Sequence, residues 1–331
     1  MFDHYIGLDW AQSNMAIARM TAKSNKVHVI DVKADIGELI VYLKRLKGKK
    51  IITLEETTTS QWLYTELREY VDKIVVCDPY RNKILNEGAK TDKIDATKLV
   101  KLLRADMLKP VYHSGDQFIY LRKLVSGYED TVKAYVRAVN QRAAVYRSCG
   151  IDKNREEITG QSERFVVEGL DRQIELIKEE RKRYEQEFSK LCSKFKLLKN
   201  LKSSPGIQDI SAVKIAARIV DINRFASAKH LWSYCGLIKY EKISGGKSYG
   251  KRKPRCSRSM KQLICTSVNN AVREHCNNPL KMRYDYLRQE KKYSEHQAKV
   301  AVRRLLSSII FGVMKSNKKF DAERVRTVKQ N

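Results

Sequence analysis

The chain has 331 residues, of which 66 are Lys or Arg and 38 are Asp or Glu, so its formal net charge is +28 and its pI is near 9.8. It is too long for one typical domain and too basic for an ordinary metabolic enzyme. Its 42% hydrophobic residues argue against wholesale disorder. The chain has neither an apolar run of about 18 residues nor an N-terminal signal pattern, so we expect a cytoplasmic protein without a membrane anchor.

Residues 1–110 alternate between strand and helix patterns. Short apolar runs at 5–8, 15–20 and 27–32, separated by polar turns, predict three successive strands. The remaining predicted elements are a helix at 36–46, a strand at 51–54, a helix at 61–70, a strand at 74–77, and helices at 82–86 and 92–104. This order is typical of a mixed sheet flanked by helices, and Pro110 marks its boundary.

Residues 111–200 have a helical period. Apolar residues recur at three- and four-residue steps from 121 to 146, and a heptad pattern runs from Leu170 to Leu198 with Arg181 as its polar interruption. Two long helices are therefore expected on either side of the polar connection 152–162. The pattern fits an antiparallel helical hairpin, a dimerising coiled coil or a helical linker packed on its neighbours, and it does not choose among them.

Residues 201–331 hold 29 basic and 9 acidic residues, a net charge of +20. Helices are predicted at 211–220, 228–236, 259–274, 280–291 and 295–315. Residues 242–255 contain three Gly, one Pro and six basic residues, so we expect an exposed, cationic, flexible loop there. Such dense positive charge is typical of a protein that binds a polyanion, and nucleic acid is the commonest one.

The three segments predict an α/β plus all-α protein with three domains. These are a mixed-sheet domain at 1–110, a helical hairpin or coiled coil at 111–200, and a basic, mostly helical domain at 201–331. Seven cysteines are scattered along the chain and never form a C-x-x-C pair, which argues against a disulfide framework or a zinc site.

Four acidic residues stand out at the ends of predicted elements. Asp9 follows the first strand, Glu55 follows the fourth, and Asp92 and Asp95 share one face at a helix start. Carboxylates brought together in this way repel one another unless a cation neutralises them, and such hard oxygen ligands suit Mg²⁺ or Mn²⁺. Taken singly, each also fits a structural role as a helix N-cap, a turn residue or a solvated strand end.

The residues around these acids resemble a known family. Residues 5–9, residues 54–55 with the Thr-rich turn that follows, and residues 90–96 look like the Asp-Glu-Asp-Asp signature of DEDD transposases. These are the recombinases of the IS-one-ten group of bacterial insertion sequences, related to the Piv invertases. The resemblance continues toward the C-terminus. Residues 204–207 and 236–237 are similar to the start of the second conserved domain of that family.

The resemblance implies a RuvC-like domain of RNase H fold at 1–110. It also implies that Asp9, Glu55, Asp92 and Asp95 are catalytic ligands of Mg²⁺ or Mn²⁺. Glu56 follows Glu55 where the family usually has alanine, so either glutamate fits the ligand position, and we choose Glu55.

The resemblance also implies a nucleophile, because Ser244 falls where the catalytic serine of the family lies. From composition alone, a serine in a Gly-rich loop is ordinarily a turn residue. Tyr240 and Tyr249 are rival nucleophiles. The predicted nucleic-acid contacts are the cations of the same loop, namely Lys247, Lys251, Arg252, Lys253 and Arg255.

Taken together, the resemblance implies a DNA transposase that cuts and rejoins DNA through a phosphoserine intermediate at Ser244. It further implies guidance by a structured non-coding bridge RNA of the same element, which pairs with donor and target DNA. We expect a homodimer or homotetramer associated with the bacterial nucleoid. Two other functions fit the same residues: a metal-dependent junction nuclease whose carboxylates activate water, and a non-catalytic RNA-binding scaffold.

Overall fold

The computed structural model describes residues 1–79, 91–113, 118–152 and 157–325. Its contacts divide the chain into two compact units, residues 1–116 and residues 117–331. Within the described ranges, no helix is both long enough and apolar enough to cross a membrane.

The first unit is built on a five-stranded mixed sheet. Its strands are β1 (His4–Trp10), β2 (Asn14–Thr21), β3 (Ser24–Lys33), β4 (Lys50–Glu55) and β5 (Lys73–Cys77). They lie in the order β3-β2-β1-β4-β5. The first three form an antiparallel meander, whereas β4 runs parallel to β1, and β5 runs parallel to β4. The sheet is the mixed one that the sequence predicts, and its order is consistent with an RNase H-like fold.

Helices cover both faces of this sheet. Helices α1 (Ile36–Arg45) and α2 (Ser60–Leu67) pack on one face, and α3 (Asp92–Arg104) packs on the other. The alternation of β2 explains the two layers, because Met15 and Ile17 join the core under α1 and α2, whereas Ala16 and Ala18 join the core under α3. The predicted elements of 1–79 and 92–104 are confirmed, and the predicted helix at 82–86 lies outside the described residues.

The second unit begins with two long helices, α4 (Phe118–Ser148) and α5 (Gln161–Lys194). They run antiparallel, because Tyr128 near the start of α4 bonds Glu185 near the end of α5, and Arg142 pairs with Asp171 at the opposite end. Within the chain, α4 and α5 therefore form an antiparallel helical hairpin, which is one of the three arrangements that the sequence allowed. Arg181, the polar interruption of the heptad, forms an ion pair with Glu185.

The rest of the second unit is mostly helical. Its elements are α6 (Lys196–Lys202), α7 (Asp209–Ile219), a 3-10 turn (Ile222–Arg224), α8 (Ala228–Tyr234), β6 (Tyr240–Ser244), β7 (Lys247–Arg252), α9 (Arg258–Ala271), α10 (Pro279–Gln289) and α11 (Glu295–Ser316). One hydrophobic core joins these helices to the hairpin, with Val125 of α4 and Phe188 of α5 in the same buried cluster as Ile264 of α9 and Leu306 of α11.

An ion pair also ties the hairpin to α7. Arg218 donates to both carboxylate oxygens of Glu129 in α4 at 2.7 Å, and Lys214 lies 3.4 Å from the same carboxylate. Burial raises the pKa of Glu129, but the hydrogen bond and charge of Arg218 outweigh this and hold it below the usual value. The helices of 118–194 and those after 196 therefore form one packed body.

The prediction of a flexible loop at 242–255 is wrong in part. Residues 240–252 form a two-stranded antiparallel hairpin, β6–β7, in which Tyr240 pairs with Arg252 and Ser244 pairs with Lys247. Gly245 and Gly246 make the two-residue turn with φ of 55° and 74°, the left-handed conformations that a primed hairpin turn requires. The predicted exposure is confirmed, because every residue of both strands is exposed.

Candidate active site

The carboxyl ends of β1 and β4 lie side by side at one edge of the sheet. The two strands run parallel with Leu8 opposite Leu54. Asp9 and Glu55 follow by one residue each, so both carboxylates lie at this edge, and both residues are partly buried. The sheet topology therefore brings together two predicted site residues from distant parts of the sequence.

Gly7 sets the distance between β1 and helix α3. A Cβ at Gly7 would lie 2.5 Å from the carbonyl oxygen of Ala96 and 2.8 Å from the backbone nitrogen of Val100. Only glycine allows so close an approach. Positions 7 and 9 share one face of the strand, so α3 covers the face to which Asp9 belongs.

Helix α3 begins near this edge with two acidic residues. Its N-cap is Thr91, whose side chain accepts a hydrogen bond from the backbone N–H of Ile94 at 3.3 Å. Asp92 and Asp95 fall in the first turn, where the helix dipole favours negative charge. The structure thus gives the N-cap role to Thr91 and leaves the Asp92 carboxylate outside it.

The four carboxylates share one electrostatic environment. Burial, and after it the negative charges of Asp92, Asp95 and Glu55, raises the pKa of Asp9 from 3.8 to about 6. Within the described residues, Asp95 Oδ1 is buried and accepts no hydrogen bond, and the ammonium of Lys98 lies 3.8 Å from it. Glu55 is among the charges that raise the pKa of Asp9.

The second group of predicted site residues lies on the β6–β7 hairpin of the other unit. Ser244 is the last residue of β6, directly before the Gly245-Gly246 turn. The other serine of the hairpin is Ser248, whose hydroxyl donates a hydrogen bond to Glu241 Oε1 at 2.5 Å. Tyr240 and Tyr249 are 51% and 57% exposed, so both rival nucleophiles are accessible as well.

The hairpin is strongly cationic. The predicted nucleic-acid contacts lie on β7 or just after it, and all of them are exposed: Lys247, Lys251, Arg252, Lys253 and Arg255. Glu241 is the acidic residue of 240–255, so the segment carries a large positive excess. The structure places Ser244, Lys247, Lys251 and Arg252 on one exposed hairpin, and Lys253 and Arg255 follow directly after it.

Two family models match the chain. Residues 6–149 match the DEDD transposase model of the IS110 group, and residues 198–285 match the model described as Transposase IS116/IS110/IS902 family. The chain belongs to the IS110 family of transposases. No curated protein sequence matches it.

The four carboxylates of this transposase are chemically suitable ligands for a divalent cation. The four side chains offer hard oxygen ligands, one buried oxygen of Asp95 lacks a hydrogen bond in the described structure, and Asp9 is held among like charges. No group of three or more His, Cys, Asp or Glu residues in the described ranges has a metal-binding arrangement as it stands. Binding of an ion would therefore require these side chains to turn toward it.

Sequence reasoning missed Gly7 as a determinant of the site. The signal was available, since a glycine inside an apolar strand often marks a close backbone approach. The backbone that Gly7 approaches belongs to α3, about 90 residues later in the transposase sequence. No local sequence pattern identifies α3 as the partner.

Proposed function

We propose that this DNA transposase cuts and rejoins its substrate through Ser244. Attack of the Ser244 Oγ on a phosphodiester forms an Oγ–P bond and breaks the bond from phosphorus to one deoxyribose oxygen. The hydroxyl proton leaves Ser244, and the departing deoxyribose oxygen takes up a proton. Rejoining reverses these steps with the hydroxyl of a different DNA strand, so no phosphodiester energy is lost to water.

The position of Ser244 carries this proposal. The residue ends a strand at a tight glycine turn on a hairpin whose side chains are all exposed. A weak nucleophile such as a serine hydroxyl needs neighbouring positive charge to stabilise its alkoxide and the phosphorane. Lys247 pairs with Ser244 across the turn, and Lys251 and Arg252 follow on the same strand.

The four carboxylates serve the same reaction in the proposal. Asp9, Glu55, Asp92 and Asp95 would hold one or more divalent cations, Mg²⁺ or Mn²⁺. When bound, such a cation supplies Lewis-acid polarisation of the phosphate and neutralises the charge that develops on it. Two observations support this role: burial, and after it the neighbouring carboxylates, raise the pKa of Asp9, and Asp95 Oδ1 is buried without a hydrogen bond in the described structure.

Guidance by a bridge RNA and a homodimeric or homotetrameric state complete the proposal. The net charge of +28 suits the binding of polyanions, and a structured RNA is one. Sequence choice by RNA pairing would leave the protein with backbone contacts, which the exposed cations of the hairpin can make. Mass photometry of the protein with and without the RNA of its locus measures both the binding and the copy number.

The deciding experiment looks for protein joined covalently to DNA. The purified protein, Mg²⁺ and the DNA and RNA of the native locus are incubated and then denatured, and the adduct is mapped by mass spectrometry. We expect a Ser244 adduct in wild type, none in Ser244→Ala, and a normal one in the matched control Ser248→Ala. Asp9→Ala and Asp95→Ala should also abolish it while retaining nucleic-acid binding.

Two results would overturn the proposal. An adduct that survives in Ser244→Ala and maps to Tyr240 or Tyr249 would replace the nucleophile. Cleaved ends without any adduct would show that water is the nucleophile, as in a hydrolytic nuclease.

A further inference from the structure

A lysine of helix α3 lies next to one of the four site carboxylates. Lys98 follows Asp95 by three residues, and its ammonium lies 3.8 Å from Asp95 Oδ1. That oxygen is buried and accepts no hydrogen bond in the described structure. The two side chains are 24% and 33% exposed, so solvent screens their attraction only in part. The chain itself therefore places a positive charge beside a candidate metal ligand.

The packing of α3 directs Lys98 toward the site and a neighbouring lysine away from it. Lys93, in the first turn of the helix, forms an ion pair with Asp31 of β3 at 3.7 Å. Leu102 lies one turn after Lys98, on the same side of the helix, and packs against the cluster formed with β4 and β5. Strands β3 and β4 lie on opposite sides of β1. Lys98 is thus on the side of α3 that faces β4, the strand that ends in Glu55.

The ammonium of Lys98 and a divalent cation have the same preference for the Asp95 carboxylate. In the proposed function, Asp95 is a ligand of Mg²⁺ or Mn²⁺, and a positive charge a few ångströms away opposes the binding of such an ion. A DNA phosphate that reaches the carboxylates carries the opposite charge, and a lysine ammonium readily binds phosphate oxygens. A move of Lys98 from Asp95 to the phosphate would remove the opposition to the ion and add a contact to the substrate.

We propose that Lys98 neutralises Asp95 in the metal-free protein and moves to the DNA phosphate when a divalent cation binds, so that DNA and the cation strengthen each other's binding. The inference rests on the proposed function, because that function places the scissile phosphate at the carboxylates. Lys98 keeps its proton in both states and makes no bond to phosphorus. By linkage, the factor by which DNA raises the affinity for the cation equals the factor by which the cation raises the affinity for DNA.

Titration of the full-length protein with Mn²⁺ tests the competition without any turnover. Electron paramagnetic resonance measures the free ion, and Asp95→Asn measures the binding that does not involve the site. In the absence of DNA we expect Lys98→Gln to bind Mn²⁺ about 5- to 50-fold more tightly than wild type, because a repelling charge has been removed. Lys98→Arg keeps the charge and should bind Mn²⁺ as wild type does. The matched control is Lys101→Gln, an exposed lysine of the same helix, which should also behave as wild type.

The affinity for DNA tests the move to the phosphate. Labelled DNA of the native locus is bound to the complex of protein and RNA, and Ser244→Ala is used throughout so that no strand is cut. We expect Mn²⁺ to tighten DNA binding about 5- to 50-fold when Lys98 is present and much less in Lys98→Gln. The same complex with Asp95→Asn gives the effect of Mn²⁺ on the nucleic acids themselves.

The outcomes separate this inference from the proposed function. If Asp95→Asn loses Mn²⁺ binding but Lys98→Gln binds it as wild type does, the competition is overturned and the carboxylates remain ligands. If Mn²⁺ tightens DNA binding equally with and without Lys98, the contact between Lys98 and the phosphate is overturned. Unchanged Mn²⁺ binding in Asp95→Asn would overturn the proposed metal site and this inference with it, whereas the Ser244 adduct is tested separately.

Discussion

Replacing Asp9 by asparagine should stabilise the metal-free protein. The pKa of Asp9 is about 6 in the folded chain against 3.8 for the free group, so ionisation favours unfolding. The destabilisation of the folded protein by ionised Asp9 is nearly absent below pH 4, grows between pH 4 and 6, and is complete above pH 6. The full rise corresponds to about 3 kcal/mol between the two protonation states. Solvent screening at this half-buried side chain reduces the effect on the free energy of unfolding to about 1–2 kcal/mol.

Denaturant unfolding with chelator present measures this effect. At pH 7.5 we expect Asp9→Asn to be more stable than wild type by that amount, and the difference should shrink as the pH falls to 4. Added Mg²⁺ or Mn²⁺ should stabilise wild type more than Asp9→Asn, because a bound cation would offset the repulsion between Asp9 and the other three carboxylates. Glu66→Gln, on the exposed side of α2, is the matched control and should leave the unfolding curve unchanged. An Asp9→Asn variant with wild-type stability at every pH would refute the raised pKa of Asp9, which burial and the neighbouring carboxylates together produce.

Three further predictions follow from particular contacts. Gly7→Ala should cost about 1–3 kcal/mol in denaturant unfolding, because its Cβ would strike the backbone of α3, whereas Gly169→Ala in open space on α5 should be neutral or stabilising. Arg218→Ala should cost about 1.5–3 kcal/mol, the range for a hydrogen bond to a charged group, and wild type should lose this difference as the pH falls through the lowered pKa of Glu129. Lys251→Ala should weaken binding to all DNA sequences and reduce the slope of log affinity against log salt by about 1.

The sheet unit could be predicted from the sequence because its signals are local. Apolar runs of strand length and polar turns mark the elements one by one, and α3 begins and ends as expected, although its N-cap is Thr91 and not Asp92. The approach of α3 to β1 could not be predicted, since it depends on a contact between Gly7 and Ala96 that no short window contains. The site residues were found as strand ends and a helix start, but their electrostatic coupling emerged from the packing.

Two departures in the second unit have physical causes. The heptad after Leu170 predicts one continuous helix to Leu198, yet Phe195 adopts an extended conformation and separates α5 from α6. The pattern persists across the break because Phe188 and Leu198 enter the same core. The β6–β7 hairpin lacks a buried face, so composition favoured a loop, and the pairing depends on backbone hydrogen bonds and the Gly245-Gly246 turn.

The exposure of that hairpin has a consequence for when the protein is reactive. A two-stranded ribbon with no side chain in a core is marginally stable in water. In the proposed mechanism, the hairpin must lose its residual conformational freedom before Ser244 is aligned, and binding of phosphates to its cations would supply that free energy. In the proposed mechanism, the nucleic acid therefore completes the alignment of the residue that cuts it. A nucleophile ordered in this way reacts slowly with stray DNA, and cutting is coupled to assembly of the full complex.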